Sequence, residues 1–377
     1  MSIKTLSKKM LAIVAAGAMT MGLAMPVFAE GAGTTNIAKE AYISKTFNTE
    51  VGKDETFSFK ATPAAGNTTE VTIPNISFSA SETGSTTRRA KVKFPTNWPD
   101  AGKYEYTVTE LAASPAITDG EHQKMIMSKA VYTMDVYVSN AGKGFEISNI
   151  IVKRTKDDEG ENTNNVKVTD IGNDDANGFN FTNTYVQEAG TGTNPTNPDS
   201  TYTDDGSLNV TKTIVANDGT VDAEKEFDFT ATFAFPTGTD ATTLGAKATI
   251  EDSTKTITGT SYTFKLKHSQ NVKFTGLPVG TKISVTESAT PNYKGSADVV
   301  INNGTKEKVT ATKYNEALTV SDKSLGQNKN TVDVTNTYNY VPTTGIIMNN
   351  LPYVLMIALC GAALMAFVAF KRRSLQK

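Results

Sequence analysis

Ile43-Ser-Lys-Thr-Phe47 is a short stretch in which apolar and polar residues alternate. Successive side chains of a strand point to opposite faces, so this alternation predicts a β-strand with one buried face. The same alternation occurs in Tyr104-Glu-Tyr-Thr-Val-Thr-Glu110 and Lys282-Ile-Ser-Val-Thr-Glu287, and no long amphipathic helix pattern accompanies it. Many short strands of this kind predict an all-β fold of the sandwich type.

The same order of strand signals occurs twice, which predicts a tandem repeat of one domain. The first copy contains Ile43-Ser-Lys-Thr-Phe47, Phe57-Ser-Phe59, Tyr106-Thr-Val-Thr-Glu110 and Phe181-Thr-Asn-Thr-Tyr185. The second copy contains Val210-Thr-Lys-Thr-Ile214, Phe227-Asp-Phe229, Ile283-Ser-Val-Thr-Glu287 and Val334-Thr-Asn-Thr-Tyr338. We therefore predict domains at residues 30–186 and 207–340. Residues 187–206 are rich in Gly, Thr, Asn and Pro, which predicts a linker or an extended connection.

Strand alternation places a lysine, a glutamate and an asparagine among apolar side chains in each copy. Lys45 shares a strand face with Ile43 and Phe47. The three residues come from the first, a middle and the last strand of their copy. The two predicted sets are Lys45, Glu110 and Asn183, and Lys212, Glu287 and Asn336.

Burial of an amine beside a carboxylate favours the neutral form of both groups. A neutral lysine amine is a nucleophile that could attack the asparagine carboxamide and release ammonia, leaving a Lys–Asn isopeptide bond. We expect the glutamate to polarise the amide oxygen and to transfer protons. In the alternative interpretation, the lysines extend to solvent and the asparagines make ordinary hydrogen bonds at strand ends.

The N-terminal residues 1–29 have the pattern of a secretory signal peptide. Lys4, Lys8 and Lys9 precede an apolar run that ends at Pro26, and Val27-Phe-Ala29 supplies a cleavage site. The alternative is an N-terminal membrane anchor, but the apolar run is short for one.

The C-terminus has three parts in a fixed order. A pentapeptide comes first: Val341, Pro342, Thr343, Thr344 and Gly345. Leu351–Phe370 then has 20 residues without a charge, enough to cross a bilayer, and a basic cluster follows from Lys371. This order resembles the LPxTG sorting signal of sortase substrates, with valine in place of leucine. A sortase would cleave between Thr344 and Gly345 and release everything from Gly345 onward, including the span and basic tail at residues 346–377. A plain single-pass membrane protein is the alternative.

Composition excludes several functional classes. The two ends hold seven basic residues and no acidic ones, so residues 30–344 keep 30 basic and 39 acidic residues, a net charge of −9. This charge argues against a nucleic-acid partner. The only cysteine, Cys360, lies in the removed segment, so the mature protein has no disulfide. His122 and His268 are the only histidines, so we expect no metal site, no cofactor and no enzyme activity beyond the self-acting reaction.

At these residues the chain resembles the major (backbone) pilins of streptococci. The resemblance covers nearly the whole chain, and its most specific parts are Gly276-Leu-Pro-Val-Gly280 and the paired endings around Asn183 and Asn336. It implies two immunoglobulin-like domains, each with an isopeptide bond. Lys45 would bond to Asn183 with Glu110 as catalyst. Lys212 would bond to Asn336 with Glu287 as catalyst.

The resemblance also implies partners and a location. They are a pilin-specific sortase, identical subunits, minor pilins at the tip and base, peptidoglycan and a host surface, on the wall of a Gram-positive cell. The sortase would join Thr344 to a lysine in the first domain of the next subunit. The expected acceptor is Lys167, with Lys153 and Lys156 as alternatives, although the Tyr-Pro-Lys motif of other pilins is missing.

Two functions therefore remain open, a subunit of a covalent polymer and a monomeric adhesin anchored to the wall. Since a strand of about 10 residues spans about 33 Å, two stacked domains reach on the order of 80–100 Å. A monomer of that length would hardly clear a thick wall. The sequence also has no long repeat stalk and no separate ligand-binding domain. Length thus favours the polymer. A secreted enzyme is a third possibility, but no catalytic constellation supports it.

Overall fold

The alternating stretches form strands in the computed structural model of the protein, which describes residues 37–168, 171, 179–216, 220–339 and 343–374. The predicted signal peptide, residues 1–29, and the motif residues Val341 and Pro342 lie outside the described residues. Nearly all described strands belong to two successive β-sandwiches. The predicted all-β fold with two tandem immunoglobulin-like sandwiches is therefore confirmed.

The first sandwich is built from two main sheets and a short ribbon. Their strands are β1 (Tyr42–Thr49), β2 (Glu55–Phe57), β3 (Phe59–Pro63), β4 (Ile76–Phe78), β5 (Gly84–Lys91), β6 (Gly102–Glu110), β7 (Gln123–Ile126), β8 (Val131–Ala141), β9 (Gly144–Lys156), β10 (Asn162–Val168) and β11 (Phe179–Gln187). One sheet has the order β5-β1-β11-β7 and the other the order β10-β9-β8-β6-β3, while β2 pairs with β4.

The second sandwich follows a short helix, α1 (Ser200–Asp205). Its strands are β12 (Leu208–Ala216), β13 (Phe227–Ala234), β14 (Lys247–Ile250), β15 (Ser253–Thr256), β16 (Ser261–Leu266), β17 (Asn271–Thr275), β18 (Lys282–Glu287), β19 (Tyr293–Val300), β20 (Glu307–Thr310), β21 (Leu318–Ser324) and β22 (Thr331–Tyr338). One sheet has the order β15-β14-β17-β12-β22-β19-β20 and the other the order β16-β13-β18-β21.

The first and last strands of each sandwich are neighbours and run parallel. In the pairing of β1 with β11, Lys45 lies opposite Phe181 and Phe47 lies opposite Asn183. In the pairing of β12 with β22, Lys212 lies opposite Val334. Lysine and asparagine are thus offset by two positions in both sandwiches, so they share one face as diagonal neighbours.

Each sandwich has its own apolar core. In the first, the Phe181 ring of one sheet lies 5.2 Å from the rings of Phe59 and Tyr132 in the other. In the second, the Phe274 ring lies 5.6 Å from that of Phe233 in the facing sheet. Full burial of one such side chain contributes roughly 1.5–3 kcal/mol. The inward faces that the alternation predicts are therefore the faces that hold the sheets together.

The segment predicted as a linker is packed rather than extended. Gln187 still belongs to β11, and Glu188 and Ala189 are almost fully buried. The Ala189 N–H donates to Leu277 O (2.9 Å), so the connection is hydrogen-bonded to the second sandwich. Gly190 has φ 82°, and a Cβ there would lie 2.1 Å from Gly206 O. The composition predicted a linker or an extended connection, but here the glycine permits a close backbone approach.

A buried carboxylate, that of Glu188, joins the two sandwiches. Its Oε2 accepts a hydrogen bond from His122 Nδ1 (2.7 Å), which precedes β7 in the first sandwich. Its Oε1 accepts hydrogen bonds from Tyr202 Oη and Ser207 Oγ (2.6 Å each) and from the Gly276 N–H in the second sandwich. A carboxylate that is 2% exposed requires such partners, so this contact restricts how one sandwich moves against the other.

The C-terminal helix, α2, spans Thr343–Ser374 and includes Thr343, Thr344 and Gly345 of the predicted sortase motif. Within the part of the chain that the structure describes, no helix has the length and the hydropathy needed to cross a membrane. The membrane span expected at Leu351–Phe370 stays a prediction.

We predict a pH-dependent contribution of His122 to stability. Its hydrogen bond to Glu188 raises the pKa of His122 above 6.5, and the exposed Glu121 carboxylate acts in the same direction. The stabilisation is therefore complete below pH 6.5 and is lost as the pH rises through the raised pKa. In thermal unfolding, the difference between wild type and His122→Gln should be larger at about pH 6 than at about pH 8.5. In a Glu188→Gln background, the effect of the same substitution should change much less with pH, because only Glu121 still raises the pKa of His122. A pH-independent difference in wild type would contradict the prediction.

Candidate functional site

The first sandwich brings Lys45, Glu110 and Asn183 together, and we call them the first triad. Lys45 on β1 and Asn183 on β11 reach across to Glu110, which ends β6 in the opposite sheet. Lys45 Nζ lies 2.8 Å from Glu110 Oε1 and 3.1 Å from Oε2. Asn183 Nδ2 donates to the same Oε1 at 2.9 Å. The amine and the carboxamide therefore contact one carboxylate oxygen.

The second sandwich repeats this geometry with Lys212, Glu287 and Asn336, the second triad. Lys212 Nζ lies 2.8 Å from Glu287 Oε1, and Asn336 Nδ2 donates to the same oxygen at 2.7 Å. Lys212 lies on β12, Asn336 on β22 and Glu287 at the end of β18 in the facing sheet. All six predicted residues are therefore assembled as two sites in which the lysine and the asparagine contact one glutamate oxygen.

Both triads are closed off from solvent by aromatic rings. The side chains of Lys45 and Lys212 are 0% exposed, so neither lysine extends to solvent. Lys45 Nζ lies 4.4 Å from the centre of the Phe57 ring, and Lys212 Nζ lies 3.9 Å from that of Phe227. A cation over an aromatic face is attracted to it, but the same ring excludes the water that would solvate the charge.

Burial shifts the protonation of both triads toward the neutral forms. It lowers the pKa of Lys45 and of Lys212 to about 8, and the facing glutamate opposes this shift in each case. Burial also raises the pKa of Glu110 and of Glu287, and the facing lysine opposes that shift. Desolvation is the largest cause in all four groups. The arrangement can therefore supply an uncharged amine next to a carboxylic acid and a carboxamide.

The carboxamide oxygen faces different surroundings in the two triads. Asn183 Oδ1 accepts a hydrogen bond from the Ser128 N–H at 2.7 Å, whereas Nδ2 faces Glu110 and the Met127 sulfur (3.2 Å). The sequence predicted that the glutamate polarises this oxygen, but here Glu110 contacts the nitrogen instead. In the second triad, Asn336 Oδ1 is buried and has no donor among the described residues. Ser128 belongs to neither copy of the repeated pattern, so no sequence signal indicated it.

The three lysines predicted as acceptors lie on the hairpin of β9 and β10. Lys167 on β10 and Lys156 on β9 are exposed. Lys153 is half-buried, lies opposite Lys167 in the pairing, and has its Nζ 3.8 Å from Asp135 Oδ2. The three candidates are thus exposed or half-buried, whereas the side chains of Lys45 and Lys212 are 0% exposed.

Metal ligands are not clustered in the described residues, where no group of three or more His, Cys, Asp or Glu could hold an ion. The two histidines have other contacts. His122 bonds to Glu188, and His268 Nδ1 accepts a hydrogen bond from the Ile214 N–H at 3.0 Å.

One part of the chain matches a known protein family. Residues 206–338 match a family model described as a domain of unknown function (DUF7601). This range encloses β12 to β22, so the match covers the second sandwich and assigns it no function. No curated protein matches the chain.

Among solved structures, the chain is similar to major pilins and to adhesins. A major pilin protein (T3.2) from Streptococcus pyogenes is 21% identical with a TM-score of 0.33, and the match covers 80% of this chain and 99% of that one. Another Streptococcus pyogenes major pilin is 18% identical with a TM-score of 0.34, over 80% and 99%. An adhesin from Mobiluncus mulieris with intramolecular disulfide, isopeptide and ester cross-links is 14% identical with a TM-score of 0.25, over 79% and 88%.

We predict that the free energy of unfolding increases between about pH 7.5 and about pH 10 in a variant that cannot form the first isopeptide bond. In Asn183→Ala, which keeps Lys45 and Glu110, the lysine pKa is about 8 when folded and 10.5 when unfolded. Between these values the unfolded chain holds a proton that the folded chain has lost, so the free energy of unfolding increases with pH. Urea unfolding at about pH 7.5 and about pH 10 would measure this rise. Lys45→Met/Asn183→Ala is the matched control, and an equal response of both variants would contradict the prediction.

Proposed function

We propose that the chain is the structural backbone subunit of a covalently polymerised pilus on a Gram-positive cell. In this proposal, each of its two domains is stabilised by a self-formed Lys–Asn isopeptide bond. The observation that carries the proposal is the duplicated, solvent-free triad, with its lysine and asparagine on adjacent terminal strands. An unbonded buried Lys–Glu pair contributes little net stability, because desolvation offsets the attraction. A bond-forming role accounts for a costly arrangement that is repeated in both domains.

The proposed reaction in each domain is an amide exchange. The neutral lysine Nζ attacks Cγ of the asparagine, and a C–N bond forms. A proton from the amine passes through the glutamate carboxyl group to Nδ2, the Cγ–Nδ2 bond breaks, and ammonia leaves. The products are one isopeptide bond and one ammonia molecule, and the glutamate returns to its initial state. Fixed orientation of the reactants can be worth roughly 7–11 kcal/mol of the barrier.

Polymerisation would use the C-terminal motif. A sortase would cleave between Thr344 and Gly345 and transfer the Thr344 acyl group to a lysine in the first domain of the next subunit. Lys167 is the proposed acceptor, and Lys153 and Lys156 are the alternatives. The exposure of Lys167 and Lys156 on the edge hairpin supports this choice, because an acceptor amine has to reach the enzyme. Minor pilins at the tip and base, peptidoglycan and a host surface are the further proposed partners.

We predict that the mature chain, residues 30–344, is lighter than its sequence by two ammonia molecules, because one leaves for each isopeptide bond. Intact-mass spectrometry of the recombinant protein would measure this. Asn183→Ala/Asn336→Ala is the control and should have the mass of its sequence. A wild-type mass equal to the sequence mass would contradict the proposal.

Single substitutions of the two glutamates, measured by the same intact-mass spectrometry, test whether each glutamate is the catalyst in its own domain. Glu110→Ala should lose only the first bond and Glu287→Ala only the second, because the triads lie in separate cores. Each of these variants should therefore lack one ammonia molecule. A variant that still lacks two would show that its glutamate is not the catalyst.

We also predict that wall extracts of the producing cell contain a high-mass ladder of this protein. Covalent joining of subunits survives SDS, so a gel probed with antiserum to the protein would show the ladder. Lys167→Arg, Lys153→Arg and Lys156→Arg, made one at a time, test the acceptor, because arginine keeps the charge but not the primary amine. A single band in wild type would instead indicate the monomeric wall-anchored adhesin.

A further inference from the structure

The carboxamide oxygen of the first triad has a hydrogen-bond donor, whereas that of the second triad has none among the residues that the structure describes. The Ser128 N–H points at Asn183 Oδ1 from 2.7 Å, within the range of a strong N–H···O bond. Ser128 lies in the short connection between β7 and β8, outside the strands that carry the triad. Its backbone amide therefore reaches the carboxamide from the side opposite to Glu110.

This contact determines the orientation of the Asn183 carboxamide. With Oδ1 toward Ser128, both the oxygen and the nitrogen have suitable partners, because Nδ2 donates to Glu110. Rotation of the carboxamide by half a turn would place an N–H₂ donor against the Ser128 N–H donor. The oxygen is therefore held at the backbone amide and the nitrogen at the carboxyl group.

A second acidic residue, Asp158, holds the connection that contains Ser128. The Asp158 Oδ1 accepts hydrogen bonds from Ser128 Oγ and from the Thr182 N–H (3.0 Å), and its backbone oxygen accepts one from the Lys129 N–H (2.9 Å). Thr182 is the residue before Asn183 on β11. Asp158 thus joins the turn after β9, the β7–β8 connection and the strand that carries the reacting asparagine.

We propose that the Ser128 N–H is the oxyanion donor for isopeptide formation in the first domain, and that Asp158 positions it. This inference rests on the proposed bond-forming function. As Lys45 Nζ attacks Cγ of Asn183, negative charge develops on Oδ1, which is the atom that Ser128 faces. A preoriented backbone N–H beside a buried amine and carboxylate stabilises such charge without reorganisation.

The remaining steps divide between the two sides of the carboxamide. Glu110, 2.9 Å from Nδ2, accepts the proton from the attacking amine and delivers it to the leaving nitrogen. An electron pair on Oδ1 then re-forms the carbonyl double bond to Cγ as the Cγ–Nδ2 bond breaks. Ammonia departs from the side of Glu110 and Met127. The Ser128 N–H keeps its proton throughout, so atoms and charges balance without a further reactant.

The second triad offers an internal comparison. Asn336 Oδ1 is buried with no donor among the described residues, so Glu287 has to serve both the oxygen and the leaving nitrogen. The first bond should therefore form faster than the second in the same molecule. Both rates can be followed in one sample, because peptide mapping assigns each loss of ammonia to its domain.

The test is a time course of bond formation after cell-free synthesis of residues 30–344, read by mass spectrometry and peptide mapping. Ser128→Pro removes the N–H donor, and loss of one such donor costs about 10²–10³ in rate. It should slow the first bond by that factor and leave the second unchanged. Asp158→Ala should slow the first bond by a smaller factor. Asp158→Asn, which keeps an acceptor oxygen for Ser128 and Thr182, should restore most of the rate.

Folding of the first domain is checked independently with Trp98, the only tryptophan, which is buried in that core. Only chains with native tryptophan fluorescence are compared, so a slow rate cannot reflect an unfolded domain. If folded Ser128→Pro forms the first bond at the wild-type rate, the proposal is overturned. If Ser128→Pro does not fold, equal rates for wild type and Asp158→Ala overturn it. A wild-type chain that loses no ammonia would instead refute the bond-forming function itself.

Discussion

The parallel pairing of the first and last strands is the constraint on which each sandwich depends. It brings Lys45 beside Asn183 and Lys212 beside Asn336, although more than 100 residues separate the members of each pair. The facing sheet then supplies the glutamate. Under tension the same two strands would carry the load between the chain ends, so a covalent bond between them would bypass the strand hydrogen bonds. By analogy with disulfides, closing loops of this length contributes about 4–5 kcal/mol in the chain-entropy account.

The chemistry of the triads follows from the cost of burying them. A solvent-free amine and carboxyl group each lose hydration, and the resulting pKa shifts favour their neutral forms. In water the same three groups would be unreactive, because the lysine would be protonated and the carboxamide free to turn away. The sandwich core therefore provides both the protonation state and the orientation. A bonded site would no longer contain a buried primary amine, so the proposed reaction would also remove an unfavourable feature of the folded chain.

Another buried carboxylate, that of Glu188, links the two sandwiches. It accepts hydrogen bonds from His122 in the first sandwich, Tyr202 on α1 and Ser207 at the start of the second. Beside it, the Ala189 N–H donates to Leu277 O, and Gln187 O accepts a hydrogen bond from the Val279 N–H. In a polymer, a hydrogen-bonded connection of this kind would transmit force through both domains. A flexible linker would instead let the domains reorient independently. The connection at Glu188 and the proposed isopeptide bonds would then both lie along the path by which force passes through the chain.

Much of this arrangement could be predicted from local pattern. Alternation specifies which side chains of a strand share a face, so it identified the all-β fold and the inward Lys45, Glu110 and Asn183, and the duplication repeated the result. The contacts of Ser128, Asp158 and Glu188 could not be predicted. A backbone N–H is present at every residue except proline, and its use depends on where loops distant in sequence meet. The packed segment at 187–206 was missed for the same reason: composition describes what a chain tolerates locally, whereas burial depends on the surfaces that tertiary folding places against it.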